Sequence, residues 1–182
     1  MIVAFTGERK SGKDYLTNVL VKTSGATRLS FSDEVRYLTT EIFPWMPFDF
    51  HPKVKDEPFI HINNPNNLTP RDVWLLLGQV RNVDGDYFVK RFAKRREWEM
   101  KHGMSSSELY IITDLRTPQE YEIIKKYNIP IVKIELANRD GIMPDPFEKW
   151  VRDFKDYDSL FINNMNGSSE FESYFYEEFG QS

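Results

Sequence analysis

A chain of 182 residues, 40% hydrophobic and 15% aromatic, is long enough for one domain with a real core and too apolar to stay disordered. Its net charge of −4, from 24 Lys+Arg against 28 Asp+Glu, speaks against a general nucleic-acid binder, which needs a basic surface to displace counterions. The absence of cysteine excludes disulfides, a thiolate nucleophile and Cys-ligated metal centres, and no apolar run reaches the ~18–20 residues of a bilayer span. A cytoplasmic protein that binds neither nucleic acid nor membrane is therefore expected.

The chain opens on Ile2–Thr6, a short apolar run that reads as a buried strand entering a turn. Leu16, Val19 and Leu20 recur at helical spacing over 14–23, and Gly25 stands where a helix C-cap belongs. Thr27–Phe31 is a second strand and Asp33–Phe43 a helix. Residues 44–68 hold five prolines and a cluster of asparagines at 63, 64, 66 and 67, which predicts a long irregular segment. Thr69 then caps a helix, with Pro70 in the first turn, Asp72 on its positive end, and Val73, Leu76 and Leu77 as the apolar face. Asp86–His102 forms the next helix, its basic run from Lys90 to Arg96 reading as a solvated face.

Leu109–Thr113 is continuously apolar, as in a strand covered on both sides. Thr117-Pro118-Gln119-Glu120 is a capping box opening a helix with Ile123, Ile124 and Tyr127 on one face. Ile129–Leu136 is a strand, 137–158 is loop-like and charged, Leu160–Asn163 is a last strand, and Ser169–Glu172 starts a final helix with capping-box spacing. Strands alternating with helices predict an α/β fold: a five-stranded parallel sheet with helices on both faces.

Gly7-Glu8-Arg9-Lys10-Ser11-Gly12-Lys13-Asp14 follows the first strand and opens the first helix, the setting required of a phosphate-binding loop. Glycines let the backbone turn its N–H groups toward an anion, the helix adds the positive end of its dipole, and Lys13 is placed to bridge two phosphates. Asp14 stands where Ser or Thr is usual; it meets Mg²⁺, caps the helix, or does both. Asp114, after the third strand, is a second acidic residue for Mg²⁺, and Arg116 is within reach of a phosphate.

These residues resemble the phage-type deoxynucleoside monophosphate kinases. The resemblance rests on the Gly-Lys-Asp of the loop and on Asp114-Leu-Arg116-Thr-Pro-Gln-Glu120. It is supported by Ser30-Phe31-Ser32-Asp33 with Arg36, Thr69-Pro70-Arg71, Asp86-Tyr87-Phe88-Val89, and Phe161-Ile162-Asn163-Asn164. It implies one P-loop kinase domain over 1–182, with a substrate-binding insert at about 36–85 and a lid-like region at about 137–158. It also implies transfer of the ATP γ-phosphate, with Mg²⁺, to a deoxynucleoside 5′-monophosphate, in a homodimer and in a host cytoplasm if phage-encoded. Gly7, Arg9, Lys10, Ser11, Gly12, Lys13 and Asp14 would hold ATP and metal. Arg36, Arg71, Trp74 and Arg116 would meet the monophosphate or the transferring group, and Asp114 the metal. Lys13, Arg71, Asp114 and Arg116 are the candidate catalytic residues. Arg139-Asp140-Gly141 and Glu148–Arg152 stand where the family carries a His-x-Ser-Glu stretch.

Phe43, Trp45, Phe48, Phe50, Phe59 and Trp74 are candidates either for a base pocket or for ordinary packing. Two other functions remain open: a phosphomevalonate kinase-like phosphotransferase, which shares a similar loop, and a non-catalytic nucleotide-binding module.

Overall fold

The computed structural model describes residues 1–49, 54–103, 107–141, 143 and 148–180. The chain divides into two compact units, one formed by Met1–Ser30 with Glu99–Ser182 and the other by Phe31–Trp98.

The first unit is built on five strands: β1 (Ile2–Thr6), β2 (Thr27–Leu29), β3 (Tyr110–Leu115), β4 (Ile131–Leu136) and β5 (Ser159–Asn163). They pair in parallel in the order β2-β3-β1-β4-β5. The expected α/β fold with an all-parallel sheet flanked by helices is thus the observed one. α1 (Lys13–Ser24) connects β1 to β2, and α5 (Pro118–Lys126) connects β3 to β4. These two crossovers run to opposite sides of β1, so right-handed connections place α1 and α5 on opposite faces. Val3, Ala4 and Phe5 of the central strand are completely buried, which is why β1 reads as an unbroken apolar run.

One face of the sheet carries the main core. Val3, Phe5, Ile111, Val132, Ile134 and Phe161 pack there with Leu16 and Leu20 of α1 and with Phe171 and Phe175 of α7 (Ser169–Phe179). Phe171 meets Phe5 edge-on at 5.9 Å and Phe161 at 4.9 Å, the offset geometry aromatic quadrupoles favour.

Several boundaries move. β3 extends to Leu115, so Asp114 lies within the strand rather than after it, because the ladder with β1 continues through Thr6↔Leu115. The loop expected over 137–158 contains a short helix, α6 (Lys149–Asp153). Ser169 is a helical residue and Ser168 the N-cap, with no side-chain cap, so the capping box expected at Ser169 does not form. The box at Thr117 and Glu120 does form, and Gly25 ends α1 in the left-handed region.

In the second unit, α2 (Asp33–Ile42), α3 (Pro70–Gly78), a 3-10 turn at Gln79–Asn82 and the start of α4 (Tyr87–Lys101) enclose a small core. Val35, Leu38 and Phe88 are buried there, with Trp74, Leu77, Val80 and Tyr87 packed against them. Thr69 and Asp72 satisfy each other's backbone N–H groups in a full capping box. The Pro/Asn-rich segment is held by its own side chain. Buried Asn64 donates to Phe59 O at 2.5 Å and Leu68 O at 2.9 Å and accepts from Leu68 N at 3.1 Å. Among the described residues no helix is long and apolar enough to cross a membrane.

Candidate functional site

Ligands of open parallel sheets bind at the carboxyl ends of strands, where neighbouring connections leave in opposite directions. β1 and β3 are such neighbours: the chain leaves β1 toward β2 and leaves β3 toward β4. The strand order of the first unit therefore places a switch point between β1 and β3, with the Gly7–Gly12 loop following one strand and Asp114 and Arg116 at the end of the other.

The loop is glycine-bearing for two distinct reasons. Gly7 has φ +145°, and a Cβ there would fall 2.2 Å from Ile134 O, on unyielding backbone. Gly12 has φ +93°, and a Cβ there would fall 2.2 Å from Asn163 Nδ2. Asn163 is buried at the end of β5 and donates from that nitrogen to Ser11 O at 2.9 Å, so the last strand pins the loop. Lys10, at φ +66°, is a non-glycine residue held in the left-handed region.

Lys13 opens α1, and its ammonium turns back into the loop. Nζ donates to Gly7 O at 2.5 Å, Glu8 O at 3.0 Å and Ser11 Oγ at 3.4 Å. Three acceptors match its three protons. Burial, followed by the Arg116 charge, lowers its pKa to about 8, against the opposing pull of Asp14, Glu148 and Asp114. The neighbours Lys13 and Asp14 and the pair Asp114 and Arg116, about a hundred positions further along the chain, thus share one electrostatic neighbourhood. Gly12 is the N-cap of α1 and no side chain caps it, so Asp14 is an exposed first-turn carboxylate rather than a cap. Arg9 and Lys10 are exposed on the loop.

Asp114 owes its placement to an irregularity in the ladder. Ala4 pairs with Ile112 and Thr6 with Leu115, so β3 carries one more residue than β1 across this step. Such a bulge re-aims side chains at a sheet rim. Thr6 Oγ1 donates to Leu115 O at 2.8 Å and closes the irregular end, while buried Ser30 donates to Asp114 Oδ2 at 2.6 Å. Glu120 accepts from the N–H groups of Arg116 at 2.7 Å and Thr117 at 2.9 Å, clamping the turn after the strand. Burial, helped by the Asp114 charge, pushes the Glu120 carboxyl up to about 7 against those donors. Among the described residues no group of three or more His, Asp or Glu is placed to hold a metal ion. Asp14 and Asp114 are hard oxygen donors of the kind that would suit Mg²⁺.

Two carboxylates that the sequence reading assigned no role also belong here. Glu8 is paired with Arg152 at 3.0 Å and Arg139 at 3.3 Å. Glu148, 8% exposed, accepts from the Arg9 N–H at 2.6 Å and lies 3.7 Å from Arg116 Nη1. The density of charge over 139–152 was the available signal, but nothing local says which partner each charge takes.

Arg36, Arg71 and Trp74 lie in the second unit. Arg36 stacks over the Trp74 ring at 4.9 Å and pairs with Asp49 at 3.1 Å; Arg71 pairs with Asp56. The structure thus brings Arg36 and Trp74 together and gives Arg71 a separate carboxylate. Of the aromatic candidates, Trp45 and Phe59 lie nearly parallel at 6.2 Å, with His61 parallel to both, while Phe48 packs on Tyr37 and Phe43 on Trp45. Phe50 lies outside the described residues. The basic run on α4 is not merely solvated: Arg95 grips buried Glu34 in bidentate fashion at 2.8 and 3.1 Å, and Arg91 lies 3.5 Å from the same carboxylate.

No model of a known protein family matches the chain, and no curated protein matches it.

Proposed function

We propose that the chain transfers the γ-phosphoryl group of ATP to a deoxynucleoside 5′-monophosphate. The observation that carries this reading is the grouping of Lys13, Arg116, Asp14 and Asp114 around a glycine-bearing loop at the switch point of a parallel sheet. Phosphoryl transfer asks a protein mainly for in-line placement and neutralised charge, and these residue types supply both. In this reading the loop and the N-terminus of α1 bind the triphosphate. Lys13 and Arg116 offset charge on the transferring group. Mg²⁺, held by Asp14 and Asp114 with phosphate oxygens, would supply further charge neutralisation. Arg36, Arg71 and Trp74 are the candidates for the monophosphate, on the strength of the sequence resemblance. The same resemblance supports a homodimer, which sedimentation analysis would test.

A panel of dAMP, dGMP, dCMP, dTMP and phosphomevalonate, each with ATP and Mg²⁺, separates the readings on a thin-layer plate. New deoxynucleoside diphosphate is the expected product. Conversion of phosphomevalonate alone would favour the isoprenoid reading, whose loop is similar. ATP binding with no turnover of any acceptor would favour a binding module.

The lowered Lys13 pKa adds a pH test. As pH rises through about 8 the ammonium loses its proton, so affinity for ATP falls between pH 7 and 9. Calorimetry in buffers of different ionisation enthalpy should show proton uptake on binding in that window, because a bound polyanion restores the ammonium. Affinity that is flat across the window would remove Lys13 from the binding site. For the fold the sign is opposite. The unfolded lysine titrates near 10.5, so the burial penalty acts below pH 8 and is relieved as pH rises from about 8 toward that value.

A further inference from the structure

Glu148 is a buried carboxylate whose two oxygens meet two different donors. Oε2 accepts from the backbone N–H of Arg9 at 2.6 Å, and Oε1 faces Arg116 Nη1 at 3.7 Å. Lys13 also feels its charge. A loop amide, a guanidinium and a nearby ammonium are the donor chemistry that binds a phosphate oxygen.

The residue is held there by a built arm. Five-residue α6 is too short to be stable alone. It is fastened at both ends. At its start, Glu148 reaches the Arg9 N–H. At its end, Lys133, 2% exposed on β4, donates to Arg152 O at 3.2 Å and Phe154 O at 3.0 Å. Those are carbonyls at the helix C-terminus, which lack partners within the helix and favour a cation. Glu135 lies 2.9 Å from the same ammonium, and Tyr157 presents its ring 5.5 Å away, so the charge is compensated in the sheet. This accounts for a lysine in a strand that is otherwise apolar where buried. Arg152, on the same arm, adds a second tie to the loop through Glu8 at 3.0 Å.

We infer that the Arg9 N–H and the Arg116 guanidinium form an oxyanion seat, filled by the Glu148 carboxylate in this structure and taken over by a phosphate oxygen when a polyphosphate binds. The inference rests on reading Gly7–Lys13 as a phosphate loop. Glu148 is then an internal competitor: it keeps two anion-seeking donors satisfied, and each binding event must displace it. The arm it belongs to would be released from Arg9 and Arg116 at that moment while Lys133 still anchors the other end.

The test measures binding of inorganic pyrophosphate and of ATP with Mg²⁺ by calorimetry. The natural chain is compared with Glu148→Gln and Glu148→Ala, each checked by thermal melting. Glu148→Gln preserves shape and an acceptor for the Arg9 N–H, so it decides the matter if Glu148→Ala does not fold. Removing the competing charge should tighten pyrophosphate binding by at least about tenfold, the lower end of the scale of one charge-assisted hydrogen bond. Unchanged or weaker binding in the variants, with the natural chain still binding, overturns the competitor role and leaves the phosphate-loop reading standing. If no form binds pyrophosphate or ATP at millimolar concentration, both fall.

Discussion

If the chain is the proposed kinase, Lys13→Ala should lower turnover at least ~10²-fold, the scale on which removing one preorganised charge-stabilising group acts. Two losses add in this variant. The ammonium charge disappears from the neighbourhood of Asp14, Asp114 and Arg116. The loop also loses the donor that ties Gly7 O, Glu8 O and Ser11 Oγ to one point. Lys13→Arg should not restore the rate: the side chain is 5% exposed, and a planar fork does not fit a cage of three acceptors around a point charge. Initial rates with ATP and the best acceptor from the panel, alongside melting curves, provide the measurement. A folded Lys13→Ala protein with an undiminished rate would refute the phosphate-loop assignment.

Phe171→Ala should destabilise the chain by about 3–5 kcal/mol, a large share of the roughly 5–15 kcal/mol that holds a typical domain. Phe171 is completely buried and touches rings on β1, on β5 and elsewhere on α7, so the cavity has little freedom to collapse. Ile62→Ala is the contrast. That side chain is 91% exposed, and its loss should stay within about 0.5 kcal/mol. Urea unfolding of the three proteins checks both values. A small effect at Phe171 would mean that α7 is not part of the cooperative core.

The strands and most helix ends were legible because their causes are local. Ile2–Thr6 announces itself as a strand buried on both faces, and Thr69-Pro70 and Thr117-Pro118 mark helix starts through caps that need only a few neighbouring residues. The α6 helix was not legible: its five residues have no intrinsic stability, and its anchor, Lys133, lies in another strand. The extra residue that re-aims Asp114 was hidden for a similar reason, since a bulge exists only relative to the strand beside it.

By itself, the sequence determined an α/β chain with five parallel strands, a glycine-bearing loop between the first strand and the first helix, and a short set of candidate anion- and metal-binding residues. Those depend on periodicity, capping and backbone freedom, which act over a few residues. Only the tertiary structure decided which polar groups meet. Arg9 and Glu148 are 139 positions apart, and Ser11 and Asn163 are 152 apart. Charges interact through distance in space rather than along the chain, so the partners of Glu8, Glu148 and Asn163 emerge only once the sheet has brought its carboxyl ends together.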